Sequence, residues 1–157
     1  MTGFQIRTIS NQFYIDYPIS QYPEILYKNI RSYDVVVLEL DFLKGKYVCV
    51  PFRSEMRHNN GYKFKYSKRS KAHQSGLDFS KLIILNTSSY FLHYSNIDQD
   101  EFNEFKLYAD TIHKRLEKYI LNYRNHKLGI NILTTNHYNR LYKYSTLKYF
   151  HKELEIE

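Results

Sequence analysis

The chain has 157 residues, 43% of them hydrophobic, enough to close one core, which excludes wholesale disorder. Its net charge is +7, and its single cysteine excludes a disulfide framework or a Cys-based zinc site. The longest apolar runs, such as Tyr47–Phe52, stop at six residues, too short to cross a bilayer. The opening residues carry no apolar stretch or small-residue cleavage site, so the expectation is a soluble cytoplasmic protein of one domain, 1–157, with no membrane partner. Residues 4–17 read as a short strand followed by an irregular or helical segment, and Pro18 to Pro23 as a connector. Asp34–Leu40 (DVVVLEL) is the clearest strand, a β-branched run between polar residues. Leu43–Lys46 supplies a turn and Lys46–Pro51 the returning antiparallel strand, with Pro51 ending its ladder. Arg53–Asn60 is a polar loop punctuated by Gly61. Tyr62–Tyr66 (YKFKY) alternates apolar and cationic residues with a period of two, and Ser67–Ser75 is a second basic loop closed by Gly76. Leu82–Leu85 reads as a buried strand and Tyr90–His93 as another. Beyond them the period changes: Phe102, Phe105, Ala109, Ile112, Leu116, Tyr119, Ile120 and Tyr123 mark a long amphipathic helix. Asp98 with Glu101 resembles a capping box, Gly129 is the expected stop, and the charged side chains are expected to face outward. The tail, Tyr138–Glu157, is expected to hold a short final helix. The pattern is that of an α+β domain on a small, strongly curved antiparallel sheet.

The charge is segregated. From Lys44 to Lys81 there are ten basic residues against two acids, Glu55 and Asp78, so this stretch carries +8; the remaining 13 basic and 14 acidic residues carry −1. A concentrated positive patch attracts polyanions and supplies the salt-dependent part of nucleic-acid affinity. Tyr47, Tyr62, Phe64 and Tyr66 run through it, and aromatic faces among lysines suit unstacked single-stranded bases better than a duplex groove. An AT-rich gene accounts for abundant lysine and tyrosine but not for their segregation.

No phosphate-cradling glycine loop, no HExxH and no metal-spaced Cys/His pair is present, and the acids of the window are too scattered for a two-metal nuclease site. The expectation is therefore chemistry without metal or cofactor. RNA permits this because its own 2′-OH can attack the neighbouring phosphate, given a base, an acid and donors for the developing charge. The loop after Pro51 offers Ser54 for a phosphate oxygen, Arg53 or Arg57 for the phosphorane, and His58 for proton transfer near neutral pH. Lys46, Lys63, Lys65, Tyr66, Ser67, Lys68, Arg69, Lys71 and Lys81 form the expected RNA-binding set. Against these stand blander readings: an exposed loop histidine, an ordinary turn serine. Asp78 reads as a salt-bridge or turn residue before it reads as a base, and Cys49 as an inert core thiol.

The run from Asp34 to Leu85, with its series PFRS, His58, YKFK, Ser67, Arg69 and GLDFSK, resembles the toxins of type III toxin–antitoxin systems, specifically the ToxN-related TenpN group. The opening IRTIS, Phe13-Tyr14, Pro23–Leu26 and the closing TLKYFHKEL are similar too. The resemblance implies an endoribonuclease toxin with a compact barrel core like that of the MazF and Kid RNases, to which helices are added. It implies metal-independent cleavage leaving 2′,3′-cyclic phosphate, and inhibition by a small structured RNA antitoxin cut from tandem repeats. It further implies closed protein–RNA rings and a role in phage defence. By position, the family's Thr-Ser step after the second barrel strand corresponds to Arg53-Ser54, so the serine carries over and the threonine does not. A lysine opening the first long strand corresponds to Arg31, and a lysine after the serine has no equal, since Met56 stands there. The family's N-terminal tyrosine maps onto Phe13 or Tyr14. Arg31, Arg53, Ser54, Arg57 and His58 are thus the expected catalytic set, and a non-catalytic single-stranded RNA-binding module is the rival reading.

Overall fold

The computed structural model of the chain describes residues 3–27, 34–94 and 97–156; Arg31 lies outside the described residues. The strand β1 (Phe4–Ile9) leads into a short helix, α1 (Asn11–Asp16), whose Phe13 is fully buried. Next come β2 (Asp34–Leu38) and β3 (Tyr47–Arg53), antiparallel from Val35↔Pro51 to Leu38↔Val48, with β1 on the other edge of β2. Val35–Leu38 and Val48–Val50 are buried without alternation, so β-branched side chains fill both faces of the sheet centre. Gly45 turns between these strands with φ +81, a left-handed conformation that favours glycine.

The sheet branches at β3. A hairpin of β4 (Gly61–Lys63) and β5 (Gly76–Asp78) adds to its end at Phe52–Arg53, while β6 (Ile83–Leu85) adds to its start at Tyr47–Cys49. Pro51, which has no N–H to give, sits in the gap where this edge passes from β6 to β5. Contrary to the expectation that it ends the ladder, the strand continues, because the hairpin takes over the pairing at the next residue, Phe52. The seventh strand, β7 (Phe91–Tyr94), pairs with β1. The order is β4-β5-β3-β2-β1-β7 with β6 beside β3. Among the described residues no ladder joins β4 to β7, so this α+β fold carries an open seven-stranded antiparallel sheet and not a closed barrel.

Where a second loop was expected, residues Lys68–His73 form a helix, α2. Ser67 caps it, its Oγ accepting from Ser70 N at 3.0 Å, and no β-branched residue opposes helix formation. The long helix α3 (Gln99–Lys127) bends at Tyr108 (φ −108, ψ 16) and stops before Gly129 (φ +74). Its stripe from Phe105 to Tyr123 is buried in the core. The next helix, α4 (Thr135–Tyr142), begins earlier than expected, with Thr134 as its cap. Phe150 and Leu154 then close the core. Two expectations fail at the start of α3. Asp98 makes no side-chain cap bond, and Glu101 and Glu104 face inward, 0% and 4% exposed. Both carboxylates are drawn in by donors from the basic window, which outweigh the cap that Glu101 would otherwise form.

Candidate nucleic-acid interface

Two buried carboxylates each hold an arginine of the basic window. Glu101 Oε1 accepts from Arg69 Nη1 at 3.0 Å, and its Oε2 accepts from Ser75 Oγ at 2.5 Å and Ser67 Oγ at 3.4 Å. Fixed on that side, the Arg69 guanidinium turns its other edge to Ser54, donating to Oγ from Nη2 at 2.7 Å and Nε at 3.1 Å. The two loops separated in sequence thus meet as a serine hydroxyl against an arginine fork. This pairing leaves the hydroxyl proton of Ser54 free to be donated to a third group.

Met56 holds that loop in place. Glu55 (φ +56) donates its N–H to His73 O at 2.5 Å, and Met56 N–H donates to Gln74 O at 3.0 Å. The Met56 side chain is fully buried against the β4–β5 hairpin. A Cβ at Gly76 would stand 2.6 Å from Tyr62 O and 2.7 Å from Met56 Sδ, and one at Gly61 would collide with Leu77 O and Met56 Cε. The methionine therefore has room only because both strands carry glycine where it lies.

The second carboxylate, Asp78, is 0% exposed and accepts four hydrogen bonds. Its Oδ2 takes Arg53 Nη1 at 2.6 Å and His58 Nε2 at 3.1 Å; its Oδ1 takes Ser80 N at 3.0 Å and Ser80 Oγ at 2.6 Å. Burial alone would raise its pKa, but the hydrogen bonds from His58, Ser80 and Arg53 together hold the carboxyl below the usual 3.8. His58 Nδ1 accepts the Asn60 N–H at 3.1 Å, so the neutral ring carries its proton on Nε2 and gives it to Asp78. Neither ring nitrogen is open for proton transfer in this arrangement. Asp78 is the salt-bridge and turn residue that its position implied.

The remaining expected residues divide. Arg57, Lys65, Tyr66, Lys68 and Lys71 are exposed, and Lys63 Nζ donates to Arg57 O at 3.4 Å. Ser67 is buried, its hydroxyl committed to the α2 cap and Glu101, so it cannot reach a phosphate. Lys81 is tied to Glu24 Oε1 at 2.8 Å and Tyr144 O at 2.9 Å, a tether for the C-terminal segment and not a free cation. Lys46 precedes β3, at the opposite end from Arg53 and about 20 Å of strand away. Cys49 is buried and its thiol pKa is pushed up by desolvation.

A groove of about 550 Å³ opens between β4 and the helices α3 and α4. Lys63, Lys65, Arg115 and Lys118 line it, with no carboxylate among its lining residues. Sequence reasoning missed Arg115, Lys118 and Asn122. Their spacing of three and four places them along one helical face beside the apolar stripe, and that was the available signal. Among the described residues no cluster of three or more His, Cys, Asp or Glu is placed to hold a metal ion, and no helix is long and apolar enough to cross a membrane. No family model matches the chain, and neither a curated protein nor a solved structure matches it.

Proposed function

We propose that the protein is a metal-independent endoribonuclease toxin of the type III toxin–antitoxin class, acting in the cytoplasm on cellular or phage RNA and held inactive by a small repeat RNA. The observation that carries the reading is the contact between Ser54 and Arg69, a neutral donor and a cationic fork held together by a buried glutamate. In the reaction the ribose 2′-oxygen bonds to the adjacent phosphorus and the bond to the 5′-oxygen breaks, leaving a 2′,3′-cyclic phosphate. The 2′-OH gives up a proton and the departing 5′-oxygen receives one. Ser54 donates to a non-bridging oxygen, while Arg69, Arg53 and Arg57 offset the charge that builds on the phosphorane. Incoming phosphate competes with Asp78 for Arg53 and His58, and release from Asp78 or Asn60 would make His58 available for proton transfer. Arg31 would add its charge at the start of the first long strand. On this reading the branched sheet corresponds to the toxin barrel core in an open form, and ring assembly with the repeat RNA follows.

One observation favours a second reading, a non-catalytic single-stranded RNA-binding module: both nitrogens of His58 are already engaged. Incubation of purified protein with total RNA in EDTA, with mapping of the ends, separates the two. Discrete cuts with cyclic-phosphate ends, slowed about 100-fold or more in Ser54→Ala, are expected. Tight binding without cleavage by folded, RNA-free protein, or a Ser54→Ala variant as fast as wild type, would overturn the nuclease assignment.

A further inference from the structure

We infer that the groove between β4, α3 and α4 is a separate nucleotide subsite, which takes one unstacked base with its phosphate next to the Ser54–Arg69 loop. That the nucleotide belongs to an RNA strand rests on the nuclease reading; the affinity for a nucleotide does not. The groove lies within the roughly 300–1,000 Å³ of small-molecule sites. Beneath it lie core rings, Phe79 and Tyr119 5.9 Å apart and Tyr119 and Tyr142 4.9 Å, only 2–7% exposed, so they give an apolar floor and not an open stacking face. Hydrogen bonds fix this floor, Tyr119 OH donating to Leu141 O at 3.0 Å and Tyr142 OH to Tyr119 O at 2.7 Å. The rim is cationic and has no neutralising acid. Arg115 and Lys118 are exposed and form no ion pair among the described residues. Asn59, Asn122 and His137 line the same groove with side chains that make no hydrogen bond among the described residues.

An apolar floor, amide and imidazole groups without partners among the described residues, and cations without carboxylates match a nucleotide in its three parts: flat base, base edge and phosphate. A bare anion site would need no apolar floor, and an apolar ligand would need no cationic rim. Asn60 connects the groove to the phosphate loop. Its side-chain amide donates to the carbonyl oxygens of Arg140 and Leu141 at 3.1 and 3.3 Å, closing α4 over the hairpin. Its backbone N–H donates to His58 Nδ1 at 3.1 Å. Asn60 thus lines the groove and bonds to His58, four residues beyond Ser54.

The test is a titration of the whole protein with each nucleoside 5′-monophosphate, and with inorganic phosphate as control, followed by amide chemical shifts. Shifts at Asn59, Asn122 and His137 with nucleotides that phosphate alone does not reproduce are expected. Lys118→Glu with Arg115→Glu, two exposed positions that leave the core intact, is expected to weaken binding of a single-stranded hexanucleotide about tenfold or more. No shifts at the groove, shifts equal to those with phosphate, or hexanucleotide binding unchanged in the folded double variant would overturn the subsite. Nucleotide shifts in a protein that leaves RNA uncut would sink the nuclease and support the subsite. Cleavage by a protein whose groove shows no shifts would do the reverse.

Discussion

Asp78 illustrates how one buried residue fixes the state of several exposed ones. Two of its four hydrogen bonds hold Arg53 and His58 against the hairpin and the other two fix Ser80, so both side chains are oriented in the free protein. Asp78→Asn keeps the shape but removes the charge and turns an amide N–H₂ toward other donors. Arg53 and His58 are each about a third exposed, so water takes up part of the loss. The expected cost is about 2–3 kcal/mol, below that of breaking a fully buried pair. Urea unfolding at neutral pH should show a lower midpoint with an unchanged slope. The pH dependence has a definite sign. Because the folded carboxyl lies below 3.8, its stabilisation is complete above that pH and is lost as pH falls through the lower folded value. The wild type should therefore lose its advantage over Asp78→Asn below about pH 3.8, and a gap that stays constant into acid would refute the role assigned to this carboxylate.

The β4–β5 hairpin carries the site because the buried Met56 side chain packs the Ser54 loop onto it, next to the Arg53↔Gly76 pairing. Gly61→Ala would push a methyl group against the terminal methyl of Met56 and into the Leu77 carbonyl oxygen, a backbone atom that cannot yield without moving the hairpin. A loss of about 3 kcal/mol is expected. Protection from hydrogen exchange should fall at Met56 N, which donates to Gln74 O, before it falls in β2; a uniform loss would show that the hairpin does not act on the loop. The sequence disclosed some of these elements and concealed others for a physical reason. Asp34–Leu38, Ile83–Leu85 and the stripe from Phe105 to Tyr123 were legible because their apolar periodicity is local. The three-residue strands at Gly61 and Gly76 exist only through pairing with each other and with Phe52–Arg53, so no local signal announces their partners. The same holds for Glu101 and Glu104. They continue the apolar stripe of α3 toward its start, at the position where a cap was expected. Only the distant Arg69, Tyr62 and backbone of Lys65 and Tyr66 reveal that they are core acceptors. The serine and arginines after Pro51 were visible as candidates, whereas the meeting of Ser54 with Arg69 required the fold.

For the molecule as a whole, folding redistributes a charge that the sequence confines to one quarter of the chain. Three of the ten cations in that quarter lose their free charge to carboxylates: Arg53 to Asp78, Arg69 to Glu101 and Lys81 to Glu24. Glu101 and Glu24 come from outside the window, so the rest of the chain supplies acids that quench part of the patch. In exchange, α3 brings Arg115 and Lys118 beside Lys63 and Lys65, so four cations line the groove with no carboxylate among them. Single strands show a log–log salt slope of about −0.7 per phosphate neutralised, so four groove cations give a slope of about −3 for a short RNA. Lys118→Gln should reduce the magnitude of that slope by about 0.7. Lys46→Gln should leave it unchanged, because Lys46 sits at the far end of β3 although it belongs to the same basic run in the sequence. Affinities measured by fluorescence anisotropy from low to moderate salt decide between a field focused at the groove and one spread over the face. Equal effects of the two substitutions would mean that sequence segregation, and not the folded groove, determines where RNA binds.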